Sequence, residues 1–411
     1  MIKNVLRIAL RNFRKDKWFS LINIMGLTIG ITFSLFLIFY VRDELNYDRF
    51  NTNADRIYRI VTYVTEKDKN TNFTYTESPL AFQMKKDYPE VQEAARMTNR
   101  ERTLFKIGDK SFFETKLYYA DSNIFKIFTA KFLEGNPNTA LVEPKSIVIN
   151  RTTAEKYFGK NVSAVGKTLH TVYDLYKVTG VFEDIPENTH IRYNMLISMS
   201  SDSNNYNQNW GNFNYFTYAL LKPGASRQAF QKKVDSTVAK FVKPVFDPFN
   251  VKMRFYAQPI VDIHLHSEME REPEELGSMS YIYTFSAVAF FMLLIACINY
   301  MNLTTARSAR RAKEIGIRKV TGSGRGQLIA QFLGESVLTA MAAVVFSFIL
   351  IVLLFPVFNS ISGKSFSIMT LLQPFNIFLI LGIGLFTGLL GGSYPAFYLS
   401  ALQPVSILKG A

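Results

Sequence analysis

Four stretches of this chain carry no charged side chain, and they limit what it can become more than any other feature. Residues 19–41 make a run of 23, 276–306 a run of 31, 336–363 a run of 28 and 365–408 a run of 44. About 20 apolar residues in a helix cross the roughly 30 Å hydrocarbon layer of a bilayer. A single Arg or Lys at the centre of such a helix costs about 2.5–3.5 kcal/mol. Buried helices of a water-soluble core would be shorter and would keep a polar face. The longest run has length enough for two crossings, but Gln373 and Pro374 interrupt it and 365–373 is short and polar. The runs therefore predict an α-helical membrane protein with four transmembrane helices, over 19–41, 279–303, 331–358 and 374–399.

Charge then sets the orientation. The 411 residues include 47 Lys+Arg and 33 Asp+Glu, a net charge of +14. A nucleic-acid-binding domain would concentrate that excess on a face of its own. Here the large polar region, 42–278, holds 32 basic and 30 acidic residues, while six basic residues crowd 1–18 and seven crowd 304–335. Nucleic acid is therefore not an expected partner; the lipid bilayer is. Short segments rich in Lys and Arg stay in the cytosol. Lys3, Arg7, Arg11, Arg14, Lys15 and Lys17 place the N-terminus there, as do Arg307 to Arg325 for the segment 304–330. The 359–373 loop carries only Lys364 and falls outside, the tail 400–411 returns inside, and 42–278 is external. Within 1–18, Ile2, Val5, Leu6, Ala9, Leu10 and Phe13 recur at helical spacing opposite the basic residues, which predicts an amphipathic helix along the inner leaflet. The first apolar run is too long for the core of a secretion signal and reads as an uncleaved anchor.

The external region reads as a folded mixed α+β domain inserted between helices one and two. Strand-like alternation occurs at 56–65, 116–120, 146–150, 176–182, 215–221 and 251–263, with helical periodicity at 79–88 and 226–242. The Asn-rich 200–214 reads as a surface loop. An outer lobe over roughly 110–200 is expected, set into a βαβ-like lobe made by the flanks. No disulfide can brace it, because Cys297 is the sole cysteine and lies in helix two.

Catalytic chemistry is hard to find. Gly166-Lys167-Thr168 resembles the end of a phosphate-binding loop, but position 161, where that motif needs its first glycine, is Asn, so a turn before a strand at 168–171 is expected. Asp262, His264, His266 and Glu268 alternate and would line one strand face, a pattern that a solvated strand end explains better than a metal site. Neither catalytic, cofactor-binding nor metal-binding residues are assigned. The polar groups in the spans (Asn23, Asn299, Asn302, Glu335) include no charge deep in a helix, which disfavours an ion-coupled conduit.

The sharpest signal is cytosolic. Residues 307–325 read RSARRAKEIGIRKVTGSGR, with seven basic residues and one acidic. Lipid-facing charge explains the basic residues but not Ile315, Gly316, Ile317 and Val320 among them. A short helix with a small apolar ridge flanked by Arg suits a groove on a soluble partner. The segment TGSGRG then lets the chain turn back.

These residues carry a resemblance. ARRAKEIGIRKVTGSGRGQLIAQFLGES resembles the coupling segment and third-helix entry of MacB/FtsX-type ABC transporter permeases. SIVINRTTAEKYFGKNVSAVGKTL and YKVTGVFEDIPENTHIRYNMLIS resemble their periplasmic core domain, and the first and fourth helices match in order. One departure is TGSGRG, where many relatives have an Ala-Leu-Gly-Ala turn. The resemblance implies an inner-membrane protein that is not itself an enzyme. ATP and Mg²⁺ would be bound by a cytosolic ABC ATPase subunit docking on Arg311, Lys313, Glu314, Ile315, Gly316, Ile317, Arg318 and Lys319. A second copy or a paralogous permease would complete the transporter, with a periplasmic adaptor and outer-membrane channel as further partners. Motion of the ATPases would be relayed to the external domain for efflux or export. Lipoprotein release is the alternative within the fold; control of a periplasmic hydrolase or sensing of an antimicrobial peptide is the alternative of another class. Small residues four apart, Gly26, Gly30 and Ser34 on helix one and Gly384, Gly388 and Gly392 on helix four, allow close helix approach. One row is expected inside the subunit and the other between subunits, with helices one and two at the dimer seam.

Overall fold

The computed structural model describes residues 17–401 apart from 68, 101, 203, 204, 206–208 and 323; at 307–316 and 318 it describes the backbone alone. Of the helix expected over 1–18, only Lys17 and Trp18 are described, at the start of the first long helix, and the tail from 402 lies outside the described residues. The chain divides into two compact units, one made of the chain up to Arg42 together with Ser280 onward, the other Asp43–Met279.

Among the described residues, four helices are long and apolar enough to cross a membrane: Lys17–Leu45, Met279–Ala306, Arg325–Ser362 and Pro374–Ala401. The second does not stop at the membrane boundary. It continues as one 42-residue helix, Met279–Val320, about 63 Å at 1.5 Å per residue. The span predicted from sequence ends at 303, a few residues before charge begins at Arg307. Charge marks where water begins, however, and Ala, Arg, Lys and Glu are all strong helix formers. The helix breaks only at Thr321–Gly322, where Gly322 adopts φ +98°, and the next begins at Arg325. The third helix ends at Ser362 with Gly363 in the left-handed region at φ +66°, and a short helix, Ile368–Leu372, precedes the fourth. Their shared core includes Leu27, Ile31, Leu35, Ala340, Val344, Ile351 and Ile380. Arg42 bonds the Asn376 side-chain oxygen and lies 4.0 Å over the Phe375 ring, which holds the outer end of helix one to the start of helix four.

Among the described residues, the second unit is built on fourteen strands: β1 (Ile57–Glu66), β2 (Lys69–Phe73), β3 (Thr76–Glu77), β4 (Val91–Asn99), β5 (Thr103–Ile107), β6 (Lys110–Glu114), β7 (Leu117–Ala120), β8 (Phe132–Gly135), β9 (Ser146–Asn150), β10 (Thr168–His170), β11 (Leu175–Phe182), β12 (Met195–Ser198), β13 (Phe213–Leu221) and β14 (Val251–Pro259). They hydrogen-bond in the order β14-β1-β13-β4-β7-β12-β9-β11-β10-β5-β6, with β2 beside β1, β3 beside β13 and β8 beside β11. Because β13 is antiparallel to both β1 and β4, those two run parallel, joined through the helix Leu80–Asp87. That is a split βαβ unit. A second crossover links the parallel pair β9 and β11 through the helix Arg151–Phe158, whose start is capped by Asn150 accepting from the Thr153 amide at 3.0 Å.

Three apolar clusters fill this unit. One comes from the flanks, including Tyr58, Leu80, Met84, Phe230, Val234 and Phe255. Another draws only on residues between Phe105 and Ile197, including Ile147, Tyr157, Leu169 and Tyr176. The third lies under the central strands around Met97, Phe128, Leu196 and Tyr218. The strand expected at 251–263 is corrected. β14 stops at Pro259, and Ile260–His266 is helical. Ile260, Ile263 and His264 are all buried, which is the i, i+3, i+4 spacing of a helix face. The four polar residues of 262–268 therefore do not share one strand face.

Candidate functional site

The segment 307–320, expected to dock the ATPase, is helical in backbone through Val320. The side chains of Arg311, Lys313, Glu314, Ile315, Gly316 and Arg318 lie outside the described residues. Ile317 is 56% exposed and Val320 66%, so part of the apolar ridge faces outward. Lys319 Nζ donates to the Ser400 carbonyl oxygen at 2.7 Å. The last carbonyls of a helix lack intrahelical partners and carry partial negative charge. Lys319 thus ties the end of the second helix to the last turn of helix four.

Both rows of small residues are filled within one chain. On helix one, Gly26 faces Asn299 with room for a Cβ only at 3.4 Å from its side chain, and Gly30 lies against Ala296. Ser34 Oγ donates to the Ala289 carbonyl at 3.0 Å. The descending partner numbers show helices one and two antiparallel in close contact. On helix four, a Cβ at Gly384 would meet Val344 at 2.5 Å, at Gly388 the Val337 Cα at 2.7 Å, and at Gly392 Ser336 at 2.5 Å. Within this single chain, Gly30, Ser34, Gly384, Gly388 and Gly392 thus lie against neighbouring helices of the same subunit. The second face of helix one, with Leu21, Ile22, Met25, Ile29 and Phe33, is exposed and apolar.

In the external unit, Gly166 takes φ +89° before β10, making the turn expected there. Among the described residues no group of three or more His, Cys, Asp or Glu is placed to hold a metal ion. His264 is instead bonded to Glu44 at 2.9 Å.

Among the described residues, several buried polar groups were not legible in the sequence, and three of them are Arg59, Arg96 and Glu77. Arg59, on β1, is fully buried and meets both Glu272 oxygens at 2.6 Å, with Gln258 at 2.8 Å. Arg96, on β4, is fully buried too and is bonded to Asp121 at 2.8 and 3.0 Å and to Ser78 at 2.6 Å. A charged residue in an alternating strand ordinarily reads as solvent-facing, and only the partners 25 or 213 residues away reverse that. The third is Glu77 on β3, fully buried. Neither of its carboxylate oxygens meets a hydrogen-bond partner among the described residues. Burial, which penalises the charged form, pushes this carboxyl up to about 8.

Four spanning helices, with an α+β sheet unit inserted after the first, define a permease-type membrane protein. Residues 20–237 match the family model of the MacB-like periplasmic core domain, and residues 286–404 match that of the FtsX-like permease C-terminal. The chain belongs to the MacB/FtsX-like family of ABC transporter permeases, an inner-membrane protein with its sheet domain in the periplasm. The macrolide export ATP-binding/permease protein MacB of Bdellovibrio bacteriovorus is 29% identical over 124 residues, 30% of this chain and 18% of that protein. Its namesake from Pasteurella multocida is 24% identical over 304 residues, 71% of this chain and 42% of that protein. The chain spans less than half the length of these relatives. A solved domain assigned to a permease protein of Porphyromonas gingivalis is 21% identical, with 57% of this chain and 98% of that one covered at a TM-score of 0.47.

Proposed function

We propose that this chain relays motion from a cytosolic ABC ATPase to its periplasmic domain, and that the relay drives export of molecules from the periplasmic side. The observation that carries this reading is the unbroken helix Met279–Val320. A hydrogen-bonded helix transmits an axial push over its whole length, whereas a loop at 304 would absorb it. The exposed Ile317 and Val320 give the ATPase an apolar ridge to grip, and Lys319 passes the displacement on to helix four through Ser400. ATP and Mg²⁺ belong to the ATPase in this scheme, and the permease itself binds no cofactor. A second permease copy, or a paralogue, pairs through faces other than the two glycine rows. The names of the relatives point to macrolide export for those proteins; for this chain export is the class proposed, with a periplasmic adaptor and outer-membrane channel as the route.

The substitution Gly316→Trp tests the relay. Its indole would crowd the coupling helix where the ATPase docks, so ATP-driven transport should be lost while membrane insertion and expression stay unchanged. Transport at the unsubstituted rate in that variant would remove the docking role.

A further inference from the structure

The chain enters the periplasmic domain through the last turn of helix one and leaves it just before helix two, and two buried imidazole–carboxylate pairs sit at these passages. All the residues concerned lie within 43–279. Glu44 belongs to the last turn of the helix Lys17–Leu45. Its Oε2 lies 2.9 Å from His264 Nε2, and both side chains are 5% exposed. Tyr47 stacks flat on the imidazole, with centroids 3.3 Å apart and planes at 3°. Gly277, two residues before helix two, donates its N–H to the His264 carbonyl at 2.9 Å. A Cβ there would strike Glu44 Oε2 at 2.5 Å and His264 Nε2 at 2.6 Å. His264 therefore holds the outgoing and the incoming chain at one point.

One turn further on, Asp48 is fully buried and adopts φ +61°, a conformation costly for a residue with a Cβ unless its surroundings impose it. They do. Thr189 Oγ1 donates to its Oδ1 at 2.7 Å and the His190 N–H to its Oδ2 at 3.1 Å. His190 Nδ1 also lies 2.8 Å from Oδ1, but without the geometry of a hydrogen bond, so it is the His190 main-chain N–H that bonds this residue to Asp48. The other ring nitrogen, Nε2, lies 2.9 Å from the Tyr218 hydroxyl, and Tyr218 stands fully buried on β13 in the middle of the sheet. A continuous chain of buried polar contacts thus runs from Asp48 to the central strand.

We propose that Glu44–His264 and Asp48–His190–Tyr218 form a rigid joint that makes the last turn of helix one and the sheet a single body, with His264 and His190 as its positioning residues. A buried hydrogen-bonded pair suits the task because its partners have no solvent to exchange with, so the joint cannot slip without exposing unpaired groups. The inference deepens the relay reading, on which it rests for its purpose: it names the place where a moving helix would grip the domain.

The test uses the full chain in lipid nanodiscs in a Cys297→Ser background, which leaves no native cysteine. Nitroxides at Leu45→Cys and Lys252→Cys, both exposed, report the distance between the last helical turn and β14. A single narrow distance is expected. His264→Ala should broaden it, and His264→Gln, whose amide N–H can replace the Nε2 donor, should narrow it again. An unchanged distribution in His264→Ala overturns the joint. In the complex with the ATPase that co-purifies with the chain, a fluorophore attached at Lys252→Cys should shift on MgATP addition. His264→Ala should lose that shift while ATP turnover continues. Retention of the shift in His264→Ala overturns the joint as the point of transmission. Absence of the shift in the unsubstituted complex, with the spin-label result as expected, overturns the relay and leaves the joint standing.

Discussion

Replacing Glu77 by Gln should make the periplasmic domain more stable at neutral pH and flatten its dependence on pH. The carboxyl ordinarily titrates at 4.5, and burial pushes it up to about 8 in the folded protein. Between those values the folded state holds a proton that the unfolded state has released, so stability falls as pH rises. The contribution is fully present below 4.5 and has been lost once pH passes 8. The slope is about 1.4 kcal/mol per pH unit within the window, and the whole span corresponds to about 4–5 kcal/mol at most. Glutamine has nearly the same shape and no ionisation to lose. At about pH 7.5 the variant should therefore exceed the parent by about 2–4 kcal/mol, with the two nearly equal at about pH 4.5. Each kcal/mol moves Tm by about 2–4 °C in a domain of this size. Trp210 stacks on Phe241 at 4.9 Å within the domain, and the only other tryptophan is Trp18. Fluorescence melts of the full chain in detergent, in a Trp18→Phe background, would follow unfolding from about pH 4.5 to about 8.5, a window that brackets the titration. Other groups titrating in this range contribute equally in both proteins and drop out of the difference. Parallel Tm curves for the parent and the Glu77→Gln variant would refute the reasoning.

Further substitutions at two other places probe the rest of the molecule. Glu272→Ala leaves the Arg59 guanidinium buried without its carboxylate, which should cost about 3–5 kcal/mol. The double variant Arg59→Met, Glu272→Leu should recover most of that loss in denaturant melts, and a loss below about 1 kcal/mol in the single variant would count against the pair. Gly388→Leu brings a side chain onto the Val337 backbone, so helices three and four must separate at a cost of about 1–3 kcal/mol. Lower thermal stability of the detergent-solubilised chain is expected, and an unchanged Tm would place the helix contact elsewhere.

The membrane spans, their direction and the class of the inserted domain could be read from one dimension. Whether a segment partitions into lipid depends on its own summed side chains, and which side it faces depends on nearby Lys and Arg. Strand and helix periods along 146–150, 176–182 and 226–242 were legible for the same reason, since alternation is a property of a few neighbouring residues. The helix over 260–266 was not, because Val261, Ile263 and Leu265 alternate with Asp262, His264 and His266 as a strand would, while Ile260, Ile263 and His264 also fit a helix face, and only burial on a particular core decides between them. Nor could the sequence reveal that Lys319 meets Ser400, that Gly388 lies on Val337, or that Arg59 and Glu272 are paired. Each of those depends on a partner brought close only by folding, and a charge or a glycine reads the same in either role until the group opposite it is known.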